Sequence, residues 1–171
     1  MVDSSLIFTF SGIRGIFGKD LNFDIAKKIA ISFGQWFTGA EKKIIIGRDT
    51  RPSGEIIKQG IIEGLIATGF KIIDVGICPT PIIIFTKNIQ KIPSGIIITG
   101  SHNPPDWNGL KLLSSVTYLH NEDLAQISSL INQVNLNNNK VDANRILKNV
   151  FTSEPIPEYI KILNKYLNST K

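Results

Sequence analysis

The alternation of short apolar runs with segments of helical periodicity is the feature that most constrains the fold. The runs KIIIG (43–47), KIIDVG (71–76) and GIIIT (95–99) have the length and β-branched content of strands. The last run is continuously apolar, as expected for a strand that is covered on both faces. Strands that alternate with helices predict an α/β fold, a three-layer α/β/α sandwich with a mixed, mostly parallel sheet.

Capping residues predict where the helices begin and end. Asn22 is the predicted N-cap of a helix whose apolar positions recur on one face, and Ser53 is the predicted cap of a second helix that Gly69 ends. PTP (79–81) begins a short helix or turn, and a further helix starts at Asn121. The predicted buried faces are Ile25, Ile29, Phe33, Trp36 and Phe37 in the first helix, Ile57, Ile61, Gly64, Leu65 and Thr68 in the second, and Leu124, Ile127, Leu130, Ile131 and Val134 in the last.

Two more strands are predicted, LIFTF (6–10) and GLKLL (109–113), the latter as a possible hairpin partner of GIIIT. Ligands of α/β proteins collect at the carboxyl ends of the strands. The loops after Phe10, Gly47, Gly76 and Thr99 are therefore expected to border one cleft. Residues 1–140 form the predicted domain. Residues 141–171 are a linker followed by a helix, which either packs on the domain or begins a second one.

Composition and charge exclude several classes of protein. The 171 residues are 42% hydrophobic and 19% charged, which is typical of a soluble globular domain. No apolar run is long enough for a membrane span, no secretory signal precedes the domain, and the single Cys78 excludes an internal disulfide, so a cytoplasmic protein without a membrane partner is expected. The net charge of +5 is spread without a basic run, which favours a solvated surface with an anion site over a nucleic-acid partner.

The segment TGSHNPPDWNGLK (99–111) concentrates residues that are able to do chemistry. Ser101 follows a glycine, His102 is able to exchange protons near neutral pH, and two prolines fix the shape of the loop. Lys111 offers a positive charge to a phosphate, or a base if its pKa is depressed. The alternative is an Asn-Pro turn in which the serine and histidine only satisfy backbone groups. Trp107 fits either interpretation.

Two other loops carry arginines. FSGIRG (10–15) brackets Arg14 with glycines, which would free its side chain to bind an anion. In GRDTRPSGE (47–55), Arg48 and Asp49 are predicted to form an ion pair that ties loops together, and the following helix start is an alternative anion site. The sequence has no His/Cys or Asp cluster for a metal, no Walker A or G-x-G-x-x-G loop and no nucleophile elbow.

In their order, FSGIRG, GRDTRPSGE, GICPTP and TGSHNPPDWNGLK resemble the first domain of the α-D-phosphohexomutases, most closely the phosphomannomutase/phosphoglucomutase branch, over residues 6–135. The resemblance implies that Ser101 carries a phosphoryl group, whose phosphate is also a ligand of Mg²⁺. Lys111 and Arg14 would stabilise the transferring phosphate, and His102 would orient the serine or move its proton. Ser11 would face the substrate.

The resemblance also implies a reaction and its partners. The reaction converts a hexose 1-phosphate to the 6-phosphate through a bisphosphorylated sugar, and a hexose 1,6-bisphosphate phosphorylates the serine. Family members have four domains, of which this chain matches the first, so the remaining Mg²⁺ ligands and the sugar-reading loop would come from elsewhere. The chain alone is then expected to be inactive, and its hexose stays open. Thr9 and Phe10 are larger than the family residues there. The alternative is a non-catalytic phosphosugar-binding or interaction module.

Overall fold

The computed structural model describes residues 6–9, 11–115 and 118–169 and has one mixed sheet between helices. Its described strands lie in the order β1-β2-β6-β5-β3-β4-β7. The strands are β1 (Ile7–Thr9), β2 (Gly12–Ile16), β3 (Lys43–Arg48), β4 (Lys71–Ile77), β5 (Ser94–Ile98), β6 (Trp107–Leu113) and β7 (Val150–Thr152). The helices are α1 (Phe23–Trp36), α2 (Ser53–Ala67), α3 (Thr80–Ile89), α4 (Asn121–Ile131), α5 (Ala143–Asn149) and α6 (Ile156–Ser169), with a 3₁₀ turn at Leu136–Asn138.

Strand directions confirm the α/β prediction. Strand β3 pairs in parallel with β4 and β5, and β7 extends this parallel part beyond β4. On the other side β6 is antiparallel to both β5 and β2, and β1 is antiparallel to β2. Strands β5 and β6 form the hairpin-like pair that the sequence predicts on either side of the serine segment. The carboxyl ends of β3, β4 and β5 therefore lie at one edge of the sheet.

Alternating isoleucines place one layer of helices on each face of the sheet. Ile44 and Ile46 of β3 pack in the larger core with α1, α2 and α4, whereas Ile45 packs with Ile83 of α3 in a smaller core. All of these side chains are fully buried. The period of two in a strand sends successive side chains to opposite faces, so a continuous isoleucine run requires cover on both. The predicted three layers follow from this pattern.

Most predicted helix boundaries are confirmed, and one cap is wrong. Asn22 Oδ1 accepts a hydrogen bond of 3.0 Å from the Ile25 N–H, as an N-cap should. Gly69 follows α2 with φ +88°, a left-handed conformation that glycine adopts without steric cost. Ser53 is not the cap of α2, because it is the first residue of the helix and its hydroxyl accepts from Asn108 Nδ2 at 2.9 Å. Serine prefers the cap, but here a tertiary partner holds its side chain.

Residues 12–15 of FSGIRG lie in a strand and not in the glycine-rich loop that the sequence predicts. Phe10 lies outside the described residues, while Gly12–Ile16 forms β2 between β1 and β6. The three antiparallel pairings from β5 through β6 and β2 to β1 make β1 run opposite to β3, β4 and β5. The end of β1 therefore points toward the other edge of the sheet, although Thr9 and Ser11 still line a cavity beside the loop that follows β5. The glycines serve close packing here. A Cβ at Gly12 would collide with the Leu110 carbonyl, and one at Gly15 would collide with Asp20.

The chain after residue 140 contacts the sheet at its far edge. Strand β7 pairs with β4, and the rings of Phe85 in α3 and Tyr159 in α6 meet edge to face with centroids 5.0 Å apart. Helix α6 has no buried residue. The predicted division of the chain at residue 140 stays a prediction. Within the described ranges, no helix combines the length and apolar character needed to cross a membrane.

Candidate active site

The candidate site is the serine loop, residues 100–106, which joins β5 to β6. The Thr99 N–H donates to the Gly109 carbonyl at 2.9 Å and so closes the base of the loop. Ser101 and His102 are exposed beyond it. Ser101 has φ +55°, a left-handed conformation that costs a non-glycine residue roughly 1 kcal/mol. Such a conformation persists only where the surrounding contacts hold it.

Two contacts define the surroundings of Ser101, one made by its side chain and one by its backbone. Its Oγ lies 3.3 Å from Nδ1 of His102, and its N–H donates to Thr99 Oγ1 at 2.9 Å. The hydroxyl is therefore beside an imidazole nitrogen that is able to accept its proton when the neutral ring carries its own proton on Nε2. The structure thus brings the hydroxyl of Ser101 next to the ring of His102, and the roles expected of the two residues stay predictions.

Arg14 reaches the serine loop from β2. It lies opposite Gly109 in the β2–β6 pairing, and its Nη1 donates to Asn103 Oδ1 at 3.2 Å. Its Nη2 donates to Ser11 Oγ at 3.2 Å, and that hydroxyl lies 2.8 Å from Thr9 Oγ1. These residues border a cavity of about 420 Å³ lined by Ile7, Thr9, Ser11, Arg14, Asn103, Pro104 and Trp107. Trp107 therefore belongs to the cavity wall.

Lys111 adds a second cation on the sheet face that carries Arg14. It follows Gly109 by two residues on β6, and its Nζ lies 5.3 Å from the ring centroid of Tyr118. Burial lowers the pKa of Lys111, and the charge of Arg14 lowers it further. Two neighbouring cations repel each other, and this repulsion favours an anion between them. A phosphate bound there would relieve the repulsion.

Arg51 is the residue that sequence reasoning missed. Its guanidinium donates to four carbonyls of residues 101–107 and to the Asp49 carboxylate. The predicted ion pair between Arg48 and Asp49 is wrong, because Arg48 pairs with Glu55 at 3.2 Å while Asp49 pairs with Arg51 at 3.3 Å. Both arginines lie in one short motif, and nothing local in the sequence tells which one turns toward the serine loop.

The described residues do not by themselves form a Mg²⁺ site. Among the residues that the structure describes, no group of three or more His, Cys, Asp or Glu side chains is placed to hold a metal ion. The Asp49 carboxylate is bound to Arg51 and to the Gly100 N–H. Mg²⁺ requires about six oxygen ligands, and a phosphate on Ser101 would supply few of them.

Comparison with known proteins gives a match over most of the domain. Residues 5–138 match the family model described as phosphoglucomutase/phosphomannomutase, alpha/beta/alpha domain I. The chain is 34% identical to a probable phosphoglucosamine mutase of Thermococcus kodakarensis over 94% of its own length and 35% of that protein. It is 44% identical to a phosphoglucomutase/phosphomannomutase of the same organism over 63% of its length and 24% of that protein. The chain thus spans about a third or less of these relatives.

A solved structure agrees with the fold. A phosphoglucomutase/phosphomannomutase family protein of Burkholderia thailandensis superposes with a TM-score of 0.79 and 27% identity, over 91% of this chain and 34% of the other. The aligned part extends well beyond the serine loop, since it covers nine-tenths of the chain. The fold of this chain is therefore shared with a part of a protein of known structure.

Proposed function

This chain belongs to the phosphoglucomutase/phosphomannomutase family, and from that premise we propose that it is the phosphoserine domain of a phosphohexomutase. The substrate is a hexose phosphate, and the reaction moves a phosphoryl group between its 1- and 6-oxygens. One observation carries the proposal. Ser101 is exposed in a left-handed conformation beside His102, on a loop that Arg14 also contacts.

The chemistry assigned to these residues is a reversible phosphoryl transfer. Ser101 Oγ forms a bond to a phosphorus of the hexose bisphosphate while the bond from that phosphorus to a sugar oxygen breaks. The serine proton passes to His102 Nδ1, which lies 3.3 Å away, and a proton goes to the departing sugar oxygen. In the isomerisation, phosphorylated Ser101 first transfers its phosphoryl group to the free hydroxyl of a hexose monophosphate, which gives the bisphosphate. Ser101 then takes the other phosphoryl group of that bisphosphate, which releases the isomeric monophosphate and restores the phosphoserine.

Arg14 and Lys111 stabilise the charge of the transferring group. Phosphoryl transfer depends mainly on positioning and on electrostatic stabilisation of the phosphate oxygens. Arg14 is fixed by Ser11 and Asn103, so its guanidinium is oriented before substrate arrives. Ser11 and Arg14 would also contact the sugar phosphate. Mg²⁺ in the complete enzyme would need ligands from other domains, because a phosphate on Ser101 would supply few of the oxygens it requires.

The relatives are named as a phosphoglucosamine mutase and a phosphoglucomutase/phosphomannomutase, so the experiment compares the three corresponding hexoses. The purified chain is incubated with Mg²⁺ and the 1,6-bisphosphate of glucose, mannose or glucosamine, and its intact mass is measured. A second set of samples includes the part of the Thermococcus kodakarensis relative that this chain does not match. A gain of one phosphoryl group is expected, at least in the second set.

Two serine variants make the test specific. Ser101→Ala should abolish the gain, whereas Ser129→Ala, at an exposed serine of α4, should leave it unchanged. Uptake only with the added domains would assign this chain to a multi-part mutase. No uptake in any sample would contradict the proposal and favour a non-catalytic phosphosugar-binding module.

A further inference from the structure

We propose that Arg51 is a positioning residue that holds the serine loop in the conformation presenting Ser101, an inference that rests on the proposed function. A guanidinium has five N–H donors. In Arg51, Nε donates to Asp49 Oδ2, and the two Nη atoms donate to the carbonyls of Ser101, Asn103, Pro104 and Trp107. The number of contacts equals the number of donors.

The four carbonyl contacts span the whole loop. The Nη1 distances are 2.6 Å to Pro104 O and 3.0 Å to Trp107 O, and the Nη2 distances are 3.2 Å to Ser101 O and 2.7 Å to Asn103 O. A single planar group thus fixes both ends and the middle of a loop that has no regular pairing of its own. Carbonyl oxygens that converge on one point repel one another unless a cation lies between them.

We call the contacts of Arg51 with the serine loop the clamp. Asp49 holds Arg51 and the loop together through its carboxylate and so belongs to the clamp. Its Oδ1 accepts from the Arg51 N–H at 3.0 Å, and its Oδ2 accepts from the Gly100 N–H at 3.2 Å as well as from Arg51 Nε. The guanidinium also lies so close to Gly100 that a Cβ at this position would collide with it. The close approach of Arg51 therefore explains why a glycine precedes Ser101.

Arg51 is not placed to bind the transferring phosphate. All of its donors are directed to the backbone or to Asp49, and its side chain is only 15% exposed. Its effect on transfer would be indirect, through the φ of +55° at Ser101 and the resulting direction of the hydroxyl. A small misplacement of a reacting group is able to slow a reaction by about a hundredfold.

Arg51→Lys tests the clamp while keeping the charge. A lysine has three donors on one nitrogen and cannot reproduce the planar fork. Arg48→Lys is the matched control, because Arg48 lies in the same motif, is also 15% exposed and pairs with Glu55 instead of the loop. The readouts are amide hydrogen exchange at Ser101, Asn103 and Trp107, thermal unfolding, and the rate of phosphoryl uptake from the hexose 1,6-bisphosphate.

In Arg51→Lys, exchange of the loop amides should rise about tenfold, while Tm stays within about 3 °C of that of Arg48→Lys. The maximal uptake rate should fall about tenfold or more, without a rise in the half-saturating bisphosphate concentration. Loop exchange equal to that of the control, or unchanged uptake from a loosened loop, would overturn the proposal.

Gly100→Ala reaches the same contact from the loop side and should reproduce the effect on exchange if Arg51→Lys does not fold. Unchanged exchange in Gly100→Ala would count against the clamp. If the unsubstituted chain takes up no phosphate even with the added domains, the proposed function fails, and the exchange measurements still decide whether Arg51 holds the loop.

Discussion

Nη1 of Arg14 donates to Oδ1 of Asn103 at 3.2 Å and joins a side chain of β2 to the serine loop. The two residues are 89 positions apart in the chain. The bond orients the guanidinium toward the loop that carries Ser101 and leaves the other Nη atom to Ser11. A change in the charge of the side chain at position 103 should therefore change the rate of phosphoryl uptake by Ser101.

Asn103→Asp keeps the shape of the side chain and adds a negative charge next to Arg14. The contact should strengthen, because hydrogen bonds between charged partners are stronger, so Tm should stay the same or rise. Phosphoryl uptake should slow by about tenfold, since Arg14 would be neutralised before the phosphate arrives. Intact-mass kinetics and thermal unfolding measure both effects. Asn138→Asp, on the exposed turn after α4, is the control; equal uptake by both variants would contradict this account.

Lys111→Met should change the dependence of stability on pH. Because the pKa of Lys111 is lowered by burial and then by Arg14, the unfolded chain binds its proton more tightly, and the charged lysine destabilises the fold at neutral pH. Wild type should gain stability as pH rises through the folded pKa toward the unfolded value of 10.5.

The advantage of Lys111→Met in free energy of unfolding should therefore be greatest near neutral pH and shrink toward alkaline pH. Tyr118 and Arg14 are titratable or charged groups beside Lys111, and both remain in the variant. Urea unfolding across this pH range measures the difference, with exposed Lys161→Met as the control for loss of one charge. A difference that grows with pH would contradict the prediction.

Gly64→Ala should destabilise the fold although alanine favours helices. A Cβ at Gly64 would collide with the Lys27 carbonyl and with Ala30, where α2 crosses α1. The overpacking should cost about 2 kcal/mol, which exceeds the gain of roughly 1 kcal/mol in helix propensity. Urea unfolding tests this, with exposed Gln59→Ala in the same helix as the control. A variant of equal or greater stability would show that the two helices have room to separate.

The ion pair between α1 and α2 should be asymmetric in its response to substitution. Lys27 Nζ lies 2.7 Å from Glu63 Oε2, and the side chains are 9% and 28% exposed. Glu63→Ala leaves a mostly buried charge and should cost about 2 kcal/mol, whereas Lys27→Met should cost much less because it removes the buried charge. Unfolding midpoints in urea give both values, and similar losses in the two variants would contradict the argument.

The sequence by itself determined the features that depend on short-range periodicity and local chemistry. Isoleucine runs covered on both faces, the Asn22 cap, the Gly69 stop and the serine loop between two strands are each written within a few neighbouring residues. Steric limits on φ and ψ and the two periods of strand and helix act over that distance. The layers and the position of Ser101 were therefore predictable.

Tertiary structure alone decided the contacts between distant segments. Gly12–Ile16 forms a strand because β1 and β6 pair on either side of it, and the close approach of β6 leaves no room for a Cβ at Gly12. Ser53 loses its capping role to Asn108, 55 residues away, and Arg51 reaches carbonyls 50 to 56 residues further along. Which arginine of a short motif turns toward a loop depends on chain pairing and packing, and local propensity does not contain that information.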